Sequence, residues 1–307
     1  MKIFLTGGNG MVGKNIQNHP AAKNHQITAP SSKELDLTDY NSTLEYIKSV
    51  RPDVVIHSAG LVGGIQANIK NPVNFLKVNM DVGRNIVLAS REAEVRKLLN
   101  LGSSCMYPKD AENPLKEEYI LTGTLEPTNE GYAIAKIATA KLAEYIHRED
   151  SEYLYKTIIP CNLYGSYDKF NPEKSHMIPA VIRKISEAIQ NNIDTVEIWG
   201  DGLSRREFMH AEDLAEFIFY ALENFEKLPD YLNVGLGYDY SINEYYQTVA
   251  EVLGYSGKFH HDLSKPAGMK QKLVDVTALH NYGWKSKIDL KTGIEKTYNY
   301  FKSLQND

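Results

Sequence analysis

The stretch Lys2-Ile3-Phe4-Leu5-Thr6-Gly7-Gly8-Asn9-Gly10-Met11-Val12-Gly13 decides the fold. An apolar run of strand length breaks at once into glycines, and Gly7, Gly10 and Gly13 stand in a GxxGxxG spacing. A strand, a glycine turn and a helix opening near Asn9 would aim backbone N–H groups and the positive helix end at a pyrophosphate, with the glycines permitting close approach. The spacing predicts a dinucleotide-binding βα unit, with Gly7, Gly10, Met11, Val12 and Gly13 on the cofactor.

Working outward, the same alternation continues. Apolar runs at 2–6, 26–30, 53–58, 97–102 and 155–161 are separated by segments of helical period such as Leu44/Ile47 and Ile134/Ile137/Leu142/Tyr145/Ile146. Short strands apolar on both faces, alternating with helices, predict a doubly wound parallel α/β (Rossmann) sheet. Beyond about residue 163 the runs shorten to 195–199, 205–209 and 230–234, which predicts a smaller C-terminal α+β lobe. The stripe Leu214/Phe217/Ile218/Ala221/Leu222 marks a helix packing back on the first lobe. The expected division is 1–163 with a return at 209–236 for the cofactor, and 164–208 with 237–307 for substrate. Ser241-Ile242-Asn243-Glu244 is a capping box whose helix ends near Gly254.

Composition excludes several classes. The chain has 307 residues, 42% hydrophobic and 24% charged, and carries a net charge of -5, so nucleic acid and anionic membrane surfaces are poor partners. No apolar run reaches membrane-spanning length, and the N-terminus enters a strand without the sectors of a signal peptide, so the expected location is cytoplasmic. Cys105 and Cys161 are the two cysteines, with no CxxC and scattered histidines, and no metal site is expected.

The second strand ends at Ala29-Pro30-Ser31-Ser32-Lys33, where an acid would bind the ribose 2′-hydroxyl of NAD. Two hydroxyls and an ammonium instead suit a 2′-phosphate, so NADP(H) is expected on Ser31, Ser32 and Lys33. Glu34 keeps NAD in play, and Asp36 is assigned to the adenine.

Tyr132-Ala133-Ile134-Ala135-Lys136 sets a phenol and an ammonium one helical turn apart. The cation is expected to lower the tyrosine pKa and make it a general acid/base for alcohol–ketone chemistry. A hydroxyl partner stands at the strand end Leu101-Gly102-Ser103-Ser104: Ser103 is chosen, Ser104 the alternative.

These segments, with His57-Ser58-Ala59-Gly60 and Asn162-Leu163-Tyr164-Gly165, resemble the extended short-chain dehydrogenase/reductase family. Within it, Val62–Ile65, Gly102–Pro108, Leu125–Glu130, Ser175–Pro179 and Trp199–Phe208 resemble the GDP-L-fucose synthases, which are GDP-4-keto-6-deoxy-mannose 3,5-epimerase/4-reductases. The resemblance implies a GDP-sugar substrate, a homodimer, and Cys105 and His176 as the acid/base pair beside Ser103, Tyr132 and Lys136. It also implies cofactor contacts at Ala59, Lys136, Asn162, Leu163 and His176, and substrate contacts at Lys184, Trp199, Arg206 and Asp275. Cys161 is read as core or pocket lining, and Asn79 as backbone support.

One departure stands out. The family usually continues Asn-Leu-Tyr-Gly with Pro-His-Asp-Asn-Phe, where this chain has Ser166-Tyr167-Asp168-Lys169-Phe170. A phenol for an imidazole (Tyr167) and an ammonium for an amide (Lys169) near the expected sugar pocket open an alternative, a C4 reductase acting on a GDP-4-keto-heptose without epimerisation. A silent NADP-binding protein would have no need of the Ser–Tyr–Lys set. A 4,6-dehydratase would want an acid where Ser104-Cys105 stands.

Overall fold

A computed structural model describes residues 1–171, 175–265 and 269–305. The first part alternates strand and helix, with two helices in the third crossover: β1 (Lys2–Thr6), α1 (Met11–Asn18), β2 (Gln26–Thr28), α2 (Tyr40–Val50), β3 (Val54–His57), α3 (Ile65–Lys70), α4 (Pro72–Glu92), β4 (Lys97–Leu101), α5 (Glu130–Glu149) and β5 (Leu154–Pro160). There follow β6 (Asn162–Tyr164), α6 (Met177–Gln190), β7 (Thr195–Trp199), β8 (Arg205–Arg206), β9 (Phe208–His210), α7 (Ala211–Glu223), β10 (Tyr231–Val234), β11 (Tyr240–Ser241), α8 (Ile242–Leu253), β12 (Lys258–Asp262), β13 (Gln271–Lys272), α9 (Thr277–Tyr282) and α10 (Leu290–Ser303).

Six strands form one parallel sheet in the order β10-β5-β4-β3-β1-β2. Both faces are buried, as the doubly apolar runs require. Ile3, Leu5, Val54, Ile56, Leu99, Ile158 and Leu232 pack with Ile16 of α1 and Leu214, Phe217 and Ile218 of α7. Phe4, Val55, Leu98 and Tyr155 pack on the other face with Leu44, Ile47, Ile86, Val87, Ala143 and Ile146 from α2, α4 and α5. The apolar stripe at 211–223 thus covers the first lobe, as its periodicity predicts, and β10 joins the main sheet beside β5.

The smaller lobe has its own core of Phe170, Ile178, Ile182, Ile185, Val196, Ile198, Tyr245, Val249, Ile294 and Phe301. Its strands are short and paired at long range: β11-β8-β13, β12-β7 and β6-β9. The expected strand 205–209 is interrupted at Glu207, whose side chain turns inward to accept from the N–H groups of Leu236, Gly237 and Val274. Helix α1 begins at Met11 with Gly10 as its N-cap, two residues later than the expected Asn9 start. Helix α8 has its capping box at Ser241 and Glu244 and ends on left-handed Gly254. Among the described residues no helix is long and apolar enough to cross a membrane.

Candidate active site

The strand order reverses between β1 and β3, and their two following loops meet there. Thr6 Oγ1 lies 2.8 Å from His57 Nδ1 and accepts from the Ala59 N–H at 3.2 Å, while Ser58 Oγ donates to the Thr6 carbonyl at 2.7 Å. Gly7 takes φ 73°, and a Cβ there would strike the Ser58–Ala59 backbone. A Cβ on Gly13 would enter the van der Waals shell of the Gly7 carbonyl oxygen. Helix α1 therefore starts directly over the sheet edge, without a side-chain cap across its first N–H groups. This cradle fits a dinucleotide pyrophosphate. At the end of β2, residues 31–35 make a tight turn in which Glu34 Oε2 accepts from the Ser31 N–H at 2.7 Å, leaving Ser32 and Lys33 exposed at its tip. The Asp36 carboxylate is held by Thr38, through its N–H and its hydroxyl.

Helix α5 carries Tyr132 and Lys136 to the end of β4. Its seat is a close crossing with α4, where a side chain on Gly83 would collide with Thr139 Oγ1. Lys136 is buried, and its Nζ donates to the Leu101 carbonyl at 2.8 Å while lying 5.8 Å from the centre of the Tyr132 ring. Burial pushes the Lys136 pKa down to about 8, with Cys105 drawing it partly back. Ser103, in extended conformation, heads the tight turn Ser104–Met106, and its Oγ accepts from the Cys105 N–H at 3.4 Å. The same hydroxyl opposes the effect of burial on both the Tyr132 phenol and the Cys105 thiol. Ser104 is buried in the turn.

The expected lowering of the tyrosine pKa is overturned. Tyr132 is shifted upward, first by burial and then by Cys105, with only Ser103 opposing. The Lys136 ammonium is turned to the Leu101 carbonyl instead of the phenol oxygen, so desolvation wins. Burial likewise raises the Cys105 thiol, with Lys272, Ser103 and Lys136 opposing.

Ser103, Cys105, Tyr132 and Lys136 thus come together. His176 is the N-cap residue of α6, and among the described residues no hydrogen bond or ion pair joins it to those four. Its ring reaches solvent, yet the protein packed around it and the Lys169 ammonium hold its pKa below the usual histidine value, which leaves the imidazole neutral at pH 7. Lys184 Nζ donates to the Glu197 carbonyl at 2.7 Å, and the exposed Trp199 donates its indole N–H to Glu197 Oε1 at 2.8 Å. Arg206 is half-buried on β8 and donates to the Arg205 carbonyl at 2.7 Å. The Asp275 carboxylate accepts from the Thr277 N–H at 2.7 Å, at the start of α9. Asn162 Nδ2 donates to the Glu207 carbonyl, and Leu163 lies beside it on β6, paired with β9. Cys161 is a buried core thiol. Asn79 clasps both polar groups of the Leu61 backbone at 2.8 and 3.1 Å, supporting the loop after β3.

Sequence reading missed Lys272 and Glu207. Lys272 is brought beside Arg206 by the β8–β13 pairing, and its charge reaches Cys105. Two-residue strands carry no periodicity, so no local signal announces that pairing. The departure at 166–170 also leads elsewhere than expected. Tyr167, at φ 69°, packs on Tyr300 at 5.0 Å with Lys14 Nζ 5.3 Å over its ring, while Asn15 Nδ2 donates to the Ser166 carbonyl at 3.0 Å. Its phenol joins α1 to α10.

A parallel doubly wound sheet, a glycine cradle at its switch point and a Ser–Tyr–Lys cluster at the strand ends define a class, and the chain belongs to the NAD-dependent epimerase/dehydratase family, whose description matches residues 3–235. The family resemblance of its motifs is borne out by whole-chain likenesses. The chain is 59% identical to the GDP-L-colitose synthase of Yersinia pseudotuberculosis over 100% of both chains. It is 49% identical to the GDP-L-fucose synthase of Azorhizobium caulinodans over 98% of this chain and 96% of that one. Among solved structures, a GDP-mannoheptose C4 reductase from Campylobacter jejuni with NADP bound superposes with a TM-score of 0.89 at 31% identity, covering 98% of each chain.

Proposed function

We propose that the protein is an NADPH-dependent epimerase/reductase that converts a GDP-4-keto-6-deoxy sugar to the C3/C5-epimerised, C4-reduced GDP-sugar of the L-fucose type. One observation carries the reading: the Ser103 hydroxyl lies close enough to both the Tyr132 phenol and the Cys105 thiol to oppose the upward push of burial on each. A proton donor for a C4 oxygen and a second acid/base group for the neighbouring carbons stand side by side. The relatives named as synthases of GDP-L-colitose and GDP-L-fucose support it.

Bound NADPH supplies a hydride to C4. Tyr132, kept protonated by burial, gives its proton to the C4 oxygen, and Ser103 steadies that oxygen, first as an enolate and then as the forming alcohol. Lys136 fixes the strand end through Leu101 and faces the nicotinamide ribose. Cys105 and His176 exchange protons at C3 and C5, whose hydrogens the 4-ketone acidifies. Gly7, Gly10, Met11, Val12 and Gly13 hold the pyrophosphate, and Ala59, Asn162, Leu163 and His176 line the cofactor. Ser31, Ser32 and Lys33 take the 2′-phosphate, a choice favoured because the Glu34 carboxylate is already bound to its own turn. Asp36 meets the adenine. Lys184, Trp199, Arg206 and Asp275 take the GDP-sugar.

In this reading 1–163 with 209–236 binds cofactor, and 164–208 with 237–307 binds substrate. The exposed Val73 of α4 and Ile134 and Tyr145 of α5 favour a homodimer through these helices, which light scattering would test. Free Cys105 and Cys161 suit a reducing cytoplasm.

The test is incubation in D2O with NADPH and GDP-4-keto-6-deoxymannose, with product NMR. Deuterium at both C3 and C5 with inverted configuration is expected; reduction without deuterium would sink the epimerase assignment. A second reading follows from the 59% likeness to a colitose synthase. L-Colitose is L-fucose without the 3-hydroxyl, so a 3-deoxy ketone turned over faster, with inversion at C5 alone, would select it. The heptose reductase alternative keeps only part of its motive: the Tyr167 phenol packs on Lys14 and Tyr300, while the Lys169 ammonium still acts on His176.

A further inference from the structure

Three strands of two residues each meet around Arg206, and two carboxylates frame them. Strand β8 lies between β11, antiparallel with Tyr240 opposite Arg206, and β13, parallel with Lys272 opposite Arg206. Ladders this short carry too few hydrogen bonds to fix their own register. Contacts beyond the strand pairing must hold Arg206 in place.

Before Arg206, the Asp239 carboxylate accepts from Arg205 Nε and from Gln271 Nε2, each at 2.6 Å, and so ties β8 to β13. After it, Glu207 does the same through backbone. Its Oε1 accepts from the N–H groups of Leu236 and Gly237 at 2.5 and 3.0 Å, on the loop that leads into β11. Its Oε2 accepts from the Val274 N–H at 2.9 Å, on the segment leaving β13. One carboxylate therefore grips both neighbours of β8 at the residue immediately following Arg206. The main chain is tied there as well: the Tyr245 hydroxyl donates to the Arg206 carbonyl at 2.8 Å, and Asn162 Nδ2 donates to the Glu207 carbonyl at 2.9 Å.

Glu207 is fully buried, and a Cβ on Gly235 would collide with its Oε1, so the loop closes directly over the carboxylate. All three of its side-chain partners are N–H donors, which calls for an acceptor on both oxygens. A buried acid held in this way adds little net stability over an apolar side chain of its size, yet it fixes geometry, because three N–H groups converge on it. Arg206 is what that geometry presents. Its Nη1 donates to the Arg205 carbonyl at 2.7 Å, and among the described residues its guanidinium makes no ion pair, which leaves the rest of the fork for an anion.

We propose that Glu207 is the positioning residue that aims Arg206 at the diphosphate of the GDP-sugar, acting through β8 and touching neither substrate nor cofactor. The proposal rests on the assignment of the diphosphate to Arg206. Without the carboxylate, the 236–237 loop and the segment at Val274 lose their common anchor, β8 shifts between β11 and β13, and the guanidinium leaves the geometry that matches a phosphate.

The test is a double-mutant cycle on the whole protein, with GDP as the probe and titration calorimetry as the readout. Glu207→Gln keeps the shape of the side chain but sets an amide N–H against a backbone N–H. It is expected to weaken GDP binding ~10–20-fold, about as much as Arg206→Ala does, while NADPH affinity stays within about twofold of wild type. In the Arg206→Ala background the same substitution should add less than about twofold, because the group it positions is gone. With the ketone, the loss in Glu207→Gln should fall on KM and not on kcat. Gly235→Ala displaces the carboxylate without removing its charge; it is expected to copy these effects and takes the place of Glu207→Gln should that variant not fold. Additive losses, or equal weakening of GDP and NADPH, would overturn the proposal and make Glu207 a general brace of the fold. GDP binding by Arg206→Ala as tight as wild type would overturn the diphosphate assignment itself, and the proposal with it.

Discussion

The two lobes build their halves of the site by different means. In the first, each group hangs on a strand, loop and helix consecutive in sequence: Thr6 ends β1 and Gly7 and Gly13 follow it, Ala59 follows β3, and Ser103 and Cys105 follow β4. In the second, Arg206 and Lys272 lie on strands of two residues each, paired across 66 positions and pinned by the Asp239 and Glu207 carboxylates. A scaffold that repeats one local unit fixes where a cofactor sits. A scaffold assembled from distant pieces can change substrate groups without touching it. On the proposed assignment chemistry is thereby separated from specificity, and substitutions in the two lobes should fail in different ways.

The sharpest break of that contrast is Tyr132→Phe. Its protein should bind NADPH normally while NADPH oxidation with the ketone falls by ~10²–10⁴-fold, the range for removing a positioned proton donor. Because Tyr132 is raised, wild-type reduction should not lose its proton donor anywhere below about pH 10. Any decline above about pH 8 belongs to Lys136, whose ammonium is lost as pH rises through the value burial gives it. Next in size, Gly13→Ala should weaken NADPH binding ~10–100-fold by overpacking the Gly7 carbonyl, read by cofactor fluorescence titration. A loss of that size with the sugar-nucleotide affinity unchanged would confirm the division of labour; equal loss of both would break it.

The same contrast explains what the sequence disclosed. Glycine spacing, the Tyr132/Lys136 turn and the Ser103 strand end are signals within a few residues of one another, and the sheet order follows from alternation. The family resemblance supplied Cys105 and His176. Lys272 stayed hidden because its partner strand is far away in sequence and too short for a period. The pKa of Tyr132 was misjudged for a related reason: spacing shows that an ammonium is one turn away, but not that Leu101 claims it. Tyr167 was misplaced because its left-handed backbone, not its residue type, decides where the phenol points.

A third expectation concerns the junction of the lobes. Asp168 is buried, one carboxylate oxygen accepts from the Lys169 N–H, and the other has no partner, so burial pushes its pKa up to about 7. A carboxyl raised in the folded state favours folding when protonated, and that contribution is lost as pH rises through the folded value. Asp168→Asn should therefore match wild type in stability near pH 4 and become the more stable protein as pH climbs to about 7, by roughly 1–3 kcal/mol, with a constant gap above. Denaturant unfolding at several pH values measures it. A gap that does not vary with pH would mean that the ionised carboxylate is paired after all.

The smallest effect is expected at the lobe's outer edge. Lys184 is half-buried and its ammonium already donates to the Glu197 carbonyl, so a GDP diphosphate would find it partly desolvated but not free. An ion pair so close to solvent contributes about 0.2–1 kcal/mol and is screened by salt. Lys184→Ala should then raise the KM for the GDP-sugar only ~2–5-fold at low salt, leave kcat alone, and approach wild type as salt increases. Arg206→Ala removes a more enclosed guanidinium with a fork suited to a diphosphate, and its KM effect should be several times larger and less sensitive to salt. Reversal of that order would move the diphosphate outward, toward Trp199 and away from the β8–β13 pair, and would detach the substrate's charged end from the strand that carries Lys272.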